Sequence, residues 1–151
     1  MINNPGSLNL ARRWFIDLWS QGNLDVADEI IAPDYAPAWI QIPKQGPEQV
    51  KHEVRYFRSV FPDLQYTIVD NAAFPDKVWI RYKGVGTQKG AAWGFAATDR
   101  QVEFEGATIF TIDQNGQISD RWGAFCMYDI FVELGLAPPF WELNQLIGGK
   151  K

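Results

Sequence analysis

The chain offers few side chains of the kinds that transfer protons, attack as nucleophiles or bind metals. His52 is its sole histidine and Cys126 its sole cysteine. His52 lies beside Lys51, Arg55 and Arg58 on a helix-like stretch, which marks a solvated position rather than a base. Cys126 is expected to be a buried, unreactive thiol, and a single cysteine excludes an intrachain disulfide and a cysteine-based zinc site. Asp129 and Glu133 stand one turn apart, but paired carboxylates act together only in a shared pocket; both are expected to face solvent. There remain Thr108, Asp120 and Arg121, on a hairpin within Arg100 to Gly135. Alternate side chains of a strand share a face, so Thr108 groups with Phe104, Gly106, Phe110 and Ile112. On the returning strand Arg121 groups with Ser119, Gly123 and Phe125, while Asp120 and Trp122 point the other way. One of the two charges can reach a cavity, and a bulge near Gly123 would exchange them. Either could instead sit at a rim in a dimer salt bridge.

The hairpin has a turn signal at Asn115-Gly116, where a type I′ turn is expected, and it runs into a short helix ended by Gly135. Upstream, Ser7 is the expected N-cap of a first helix in which Leu10, Ala11, Trp14, Phe15, Leu18 and Trp19 recur at helical spacing, ending at Gly22. Asn23 is expected to cap a second helix, Leu24 to Ile31, stopped by Pro33. Ala36 to Pro43 reads as a distorted edge strand with Trp39 and Gln41 on one face. Pro47 opens a third helix, Glu48 to Phe61, with Val50, Val54, Phe57 and Phe61 inward and Lys51, Arg55 and Arg58 solvated. Strands follow over Leu64 to Ala72 and Lys77 to Gln88, joined at Phe74-Pro75-Asp76, with Val78, Ile80 and Tyr82 on the apolar face. The loop Gly90 to Asp99 carries Trp93 and Phe95, which either fold over a cavity mouth or plug the end of the core. Beyond Pro138-Pro139, Phe140, Trp141 and Leu143 need cover from their own domain or a neighbour.

At 151 residues the chain is one domain's worth, expected over 1–151 with 138–151 as a tail. It is 46% apolar and 15% aromatic, an excess that points to a wide apolar cavity, a large interface, or both. A net charge of −4 and a pI near 4.9 argue against nucleic acid or an anionic membrane as partner. No stretch resembles a signal peptide or a membrane span, so a cytoplasmic location is expected. Three helices, about four antiparallel strands and a closing helix make an α+β domain, and a curved sheet wrapped on helices encloses a cone.

The phrases WSQGNLDVADEIIAPDY, GPEQVKHEVRYFRSVFPDL, GFAATDRQVEFEGATIF and NGQISDRW resemble the SnoaL-like polyketide cyclases, the ester cyclase branch of the NTF2-like superfamily, over about Leu8 to Gly135. The resemblance implies an NTF2-like cone, with three N-terminal helices packed in a strongly curved antiparallel sheet and a short C-terminal helix, usually dimeric through the sheets. It also implies ring closure by an intramolecular aldol step without metal or cofactor, driven by a carboxylate whose pKa is raised by apolar surroundings. The family's Asp after the last-strand Trp corresponds to Gly123, following Trp122. A His or Asp two residues past the Gly of VEF-x-G corresponds to Thr108. The polar residue after the Tyr of PDY is replaced, Tyr35 being followed by Ala36, Pro37 and Ala38. The expectation is therefore a cyclase or isomerase of a hydrophobic polyketide- or terpenoid-type intermediate that does not use the usual Asp; the alternative is a non-catalytic carrier. The catalytic candidates are Arg121, Asp120 and Thr108. Substrate contacts are expected from Trp14, Tyr35, Trp39, Gln41, Tyr56, Phe57, Trp93, Phe95, Phe110, Gly123 and Phe125, with a hydrophobic small molecule as ligand and a homodimer as the assembly.

Overall fold

The computed structural model describes residues 5–38, 40 and 43–144. The first helix starts at Pro5, where a missing N–H costs nothing in the first turn, so Ser7 lies buried inside it rather than at the cap. α1, Pro5–Arg12, continues without a break as a π-helical segment, Arg13–Ser20. Its wider turns bond five residues back: Gln21 N–H donates to Ile16 O at 2.9 Å, and the Ser20 hydroxyl donates to Phe15 O at 2.7 Å. Residues five apart then stack, which brings the Trp14 and Trp19 rings to 6.2 Å. The chain leaves through Gly22 at φ +74°.

Arg58, expected in solvent, is half-buried against that helix end. Its guanidinium donates to Trp19 O at 3.1 Å, Ser20 O at 2.8 Å and Pro62 O at 3.0 Å. The Trp19 and Ser20 carbonyls, at the helix terminus, have no donor within the helix, so a cation is drawn to them, and Gln65 Nε2 joins it by donating to Ser20 O at 3.2 Å. α2, Asp25–Ile30, is shorter than expected, and Asn23 serves it through its backbone carbonyl rather than its side chain. α3, Gly46–Val60, buries Val50 and Val54 fully.

Between α2 and α3 the expected edge strand is replaced by turns among the described residues. Ile40 N–H folds back to Pro37 O at 3.1 Å, and Gly46 N–H closes the loop on Tyr35 O at 2.7 Å. Prolines at 33, 37 and 43 remove the donors a ladder would need. Trp39, Gln41 and Ile42 lie outside the described residues.

Four strands form an antiparallel meander in the order β1 (Gln65–Ala73), β2 (Lys77–Thr87), β3 (Gln101–Ile112), β4 (Ile118–Phe125). The concave face buries Val78, Ile80 and Tyr82 from β2 and Phe104, Thr108 and Phe110 from β3. The register shifts between Ile68 and Asp70 and again between Thr111 and Ile112, and such bulges bend and twist a sheet. Gly106 is required by a close approach: a Cβ there would lie 2.4 Å from the Tyr82 hydroxyl.

The β3–β4 turn is wider than the expected type I′. Gly116 N–H donates to Asp113 O at 3.0 Å, and of the turn residues only Gly116 takes positive φ, at +76°. The Asp113 carboxylate accepts from the Asn115 and Gln117 amides, each at 2.9 Å, so an Asx-type turn wins over the Asn-Gly signal.

α4, Met127–Glu133, follows β4 directly. Trp93 packs on Phe131 at 5.4 Å and Phe61 at 6.3 Å, and Phe95 on Phe131 at 6.3 Å. Cys126, expected to be buried, is exposed, because it precedes the helix at the end of the sheet edge. Phe140 and Trp141 stay 69% and 70% exposed and pack on each other, while the Tyr128 hydroxyl ties their segment down by donating to Pro138 O.

Replacing Arg58 with Ala strips a charged donor from three carbonyls and should lower unfolding stability by about 2 kcal/mol. Urea unfolding of the two proteins measures this, with a lower midpoint at unchanged slope expected.

Candidate active site

Between the π-helical segment, α3 and the concave sheet face lies a cavity of about 380 Å³. Trp14, Phe15 and Trp19 wall it from the first helix, Glu53 and Phe57 from α3, and Tyr66 and Tyr82 from β1 and β2. Thr108, Arg121, Gly123 and Phe125 wall it from the β3–β4 hairpin, with Ile40 from the loop. The strand register puts the hairpin groups in rows, since Thr108 pairs with Ile80 on one side and with Gly123 on the other.

Among the described residues, one ion pair stands in this aromatic shell. Arg121 Nη2 donates to Glu53 Oε2 at 2.6 Å, with the two side chains only 9% and 10% exposed. The guanidinium also lies over the Trp14 ring, 4.8 Å from its centroid, which adds cation–π attraction in a desolvated site. Burial pulls the Arg121 pKa down, but Tyr35 and Glu53 beside it more than offset this and hold it above its ordinary value, so it stays charged. The second carboxylate oxygen, Glu53 Oε1, is buried and meets no hydrogen-bond partner among the described residues; neither does Trp19 Nε1.

The tyrosines around the pair behave alike. Burial pushes the Tyr82 phenol up to about 12, with the Arg121 charge and then the hydrogen-bonding Thr108 side chain pulling the other way. Burial likewise raises Tyr66, helped by neighbouring Tyr82, and raises Tyr35 against the opposing pull of Arg121. All three keep their protons near neutrality and can only lend a hydroxyl, either donating or accepting a bond.

Of the expected site residues, Trp14, Phe57, Thr108, Arg121, Gly123 and Phe125 meet at the cavity. Tyr35 and Phe110 are buried just behind it, Tyr35 next to Arg121 and Phe110 with its ring 5.1 Å from Trp14. Asp120 is exposed on the convex side, because the bulge falls before it and leaves Arg121 inward. Tyr56 is exposed on α3, and Trp93 and Phe95 close the far end of the core against α4. Trp39 and Gln41 lie outside the described residues. Glu53 was not anticipated; its signal is helical spacing, three after Val50 and four before Phe57, a polar residue on an apolar stripe.

A family model for SnoaL-like polyketide cyclases matches residues 9–133. The chain belongs to this family. Among solved structures, the SnoaL-like chain is similar to TsrD from Streptomyces laurentii, at 21% identity and a TM-score of 0.81 over 90% of this chain and 99% of that one. It is similar also to a candidate SnoaL-like polyketide cyclase from Jannaschia sp. CCS1, at 21% identity and a TM-score of 0.79 over 92% and 99% of the two chains. A candidate polyketide cyclase from Acidithiobacillus ferrooxidans shares 25% identity, with a TM-score of 0.76 over 89% and 97%. No curated protein matches the sequence significantly. The structural likenesses establish the NTF2-like fold, α+β with a curved four-stranded sheet, and the family match supports polyketide cyclase-like function at the level of the family. No helix among the described residues is long and apolar enough to cross a membrane, and no group of three or more His, Cys, Asp or Glu among them is arranged to hold a metal ion.

In this SnoaL-like domain, removing one partner of the buried pair strands the other charge. Glu53→Leu and Arg121→Met should each cost about 3–5 kcal/mol, whereas the double replacement should come within about 1 kcal/mol of the parent. Denaturant unfolding of the four proteins gives the coupling; additive losses would show that the pair is not formed.

Proposed function

We propose that the chain is a cofactor-independent cyclase or isomerase of a hydrophobic polyketide- or terpenoid-type intermediate, working without the aspartate that the family resemblance places at position 123. The observation carrying this reading is the cavity itself: its volume falls in the range of small-molecule sites, and its aromatic walls enclose the Glu53–Arg121 ion pair. Aromatic walls hold a flexible chain folded, and bringing two reacting carbons together in the right geometry supplies several kcal/mol of the barrier reduction. Thr108 and Arg121 are the cavity groups suited to polarise a carbonyl. Gly123 stands at the cavity wall and brings no side chain to it.

Incubation with a panel of linear and partly cyclised polyketide intermediates, followed by mass spectrometry, tests this. A product distribution that departs from the spontaneous one is expected. Tight ligand binding with the spontaneous distribution unchanged would instead identify a non-catalytic carrier.

We also propose that the chain works as a homodimer through its convex sheet face. Trp79, Ile109 and Trp122 pair in register across three strands, and both tryptophans are 52% exposed. Such an apolar row on a sheet is costly to leave in water. Sedimentation velocity should give a dimer for the parent and a monomer for Trp79→Glu/Trp122→Glu. A monomeric parent, or a variant that stays dimeric, contradicts it.

A further inference from the structure

We infer that Glu53 is the proton-transfer group of this site, taking a proton from the bound molecule and returning it while Arg121 holds the negative charge created. This rests on the cyclase or isomerase reading above. Among the cavity walls Glu53 is the carboxylate, and it is the group there equipped to accept a proton: Arg121 is held charged, and the Tyr66 and Tyr82 phenols keep theirs.

The geometry suits the task. Oε2 is fixed by Arg121 at 2.6 Å, while buried Oε1 has no hydrogen-bond partner among the described residues. A carboxylate anchored through one oxygen, with the other buried and not engaged by a protein donor, is oriented for proton abstraction. The step also conserves charge where charge is most expensive. Before reaction the cavity holds Arg121 with the Glu53 carboxylate. When Glu53 takes a proton from a carbon next to a carbonyl, the C–H electron pair becomes an enolate, and the negative charge moves to the substrate without leaving Arg121 uncompensated. The enolate carbon then bonds to a second carbonyl carbon of the same molecule. The alkoxide so formed takes the proton back from Glu53, and the sum is an isomerisation with no redox partner. Trp14, beneath the guanidinium, keeps Arg121 in place as Glu53 changes charge.

The test uses 5-nitrobenzisoxazole, a flat apolar probe that any suitably placed base converts by removing its C–H proton. The N–O bond breaks in the same step and releases a coloured cyanonitrophenolate, with no other reactant needed. The full chain should exceed an equal concentration of acetate by about 100-fold or more, in the range of general-base catalysis. Glu53→Gln should fall to the acetate level. Because that variant leaves Arg121 buried beside a neutral amide, a second comparison is made between Arg121→Gln and Glu53→Gln/Arg121→Gln, measured up to pH 9. The single should be slower than the parent, having lost the guanidinium that holds the developing charge, yet still faster than the double, which should fall to the acetate level. A parent no faster than acetate, a Glu53→Gln protein that keeps half its rate or more, or equal rates for Arg121→Gln and the double would overturn the assignment. The polyketide panel fails independently: elimination that depends on Glu53 with no cyclised product leaves this inference standing and removes the cyclase reading. Cyclised product with no such elimination does the reverse.

Discussion

A charge pair taken out of water pays a desolvation cost that only close mutual geometry offsets, and in this domain such a pair spans the helix and sheet layers of the fold. Glu53 comes from α3 and Arg121 from the last strand, 68 residues later. Holding them at hydrogen-bond distance fixes how the helix layer sits in the sheet. It also requires the surroundings to be dry, which the rings of Trp14, Phe15, Trp19, Phe57, Tyr66 and Tyr82 provide. The same residues that make the cavity apolar therefore make the pair's geometry consequential, because electrostatic interactions strengthen as water is excluded.

Backbone irregularities serve that arrangement. The π-helical turns of Arg13–Ser20 put Trp14 and Trp19 on one face, where an ordinary helix would spread residues five apart across the surface. The register shift between Thr111 and Ile112 sets the parity of the last strand, so that Arg121 and Gly123 face in and Asp120 and Trp122 face out. Gly106 lets Tyr82 lie across β3. Each departs from regular structure at the cavity wall or beside it, which is where local propensity is commonly overridden.

Much of this was legible in the residues, because periodicity reports burial directly. The 3.6-residue stripes located three helices, and alternation along Lys77–Thr87 and the hairpin separated inner from outer faces, while leaving open whether Arg121 or Asp120 turns inward until the position of the bulge is known. What was not legible depends on contacts distant in sequence. Arg58 reads as a surface cation on its own helix and becomes a cap only when the end of the first helix arrives beside it. Glu53 reads as one more charge on a charged helix, and its meaning appears only opposite Arg121. The Asn115-Gly116 signal was overruled by Asp113, a nearby side chain able to accept two turn amides. Trp93 and Phe95 were chemically plausible cavity residues, and only the position of Phe131 on α4 shows that they cover the core elsewhere.

On this reading the Glu53–Arg121 pair is the polar centre on which a ligand is recognised. A crystal structure of the chain soaked with 2-naphthol, a planar mimic of an enol, tests this most directly. The naphthol rings are expected between Trp14 and Phe57, with the naphthol oxygen about 2.6–3.2 Å from Arg121 or Glu53. Naphthol bound with its oxygen toward solvent and the ion pair untouched, or bound on the convex sheet face instead, would contradict it.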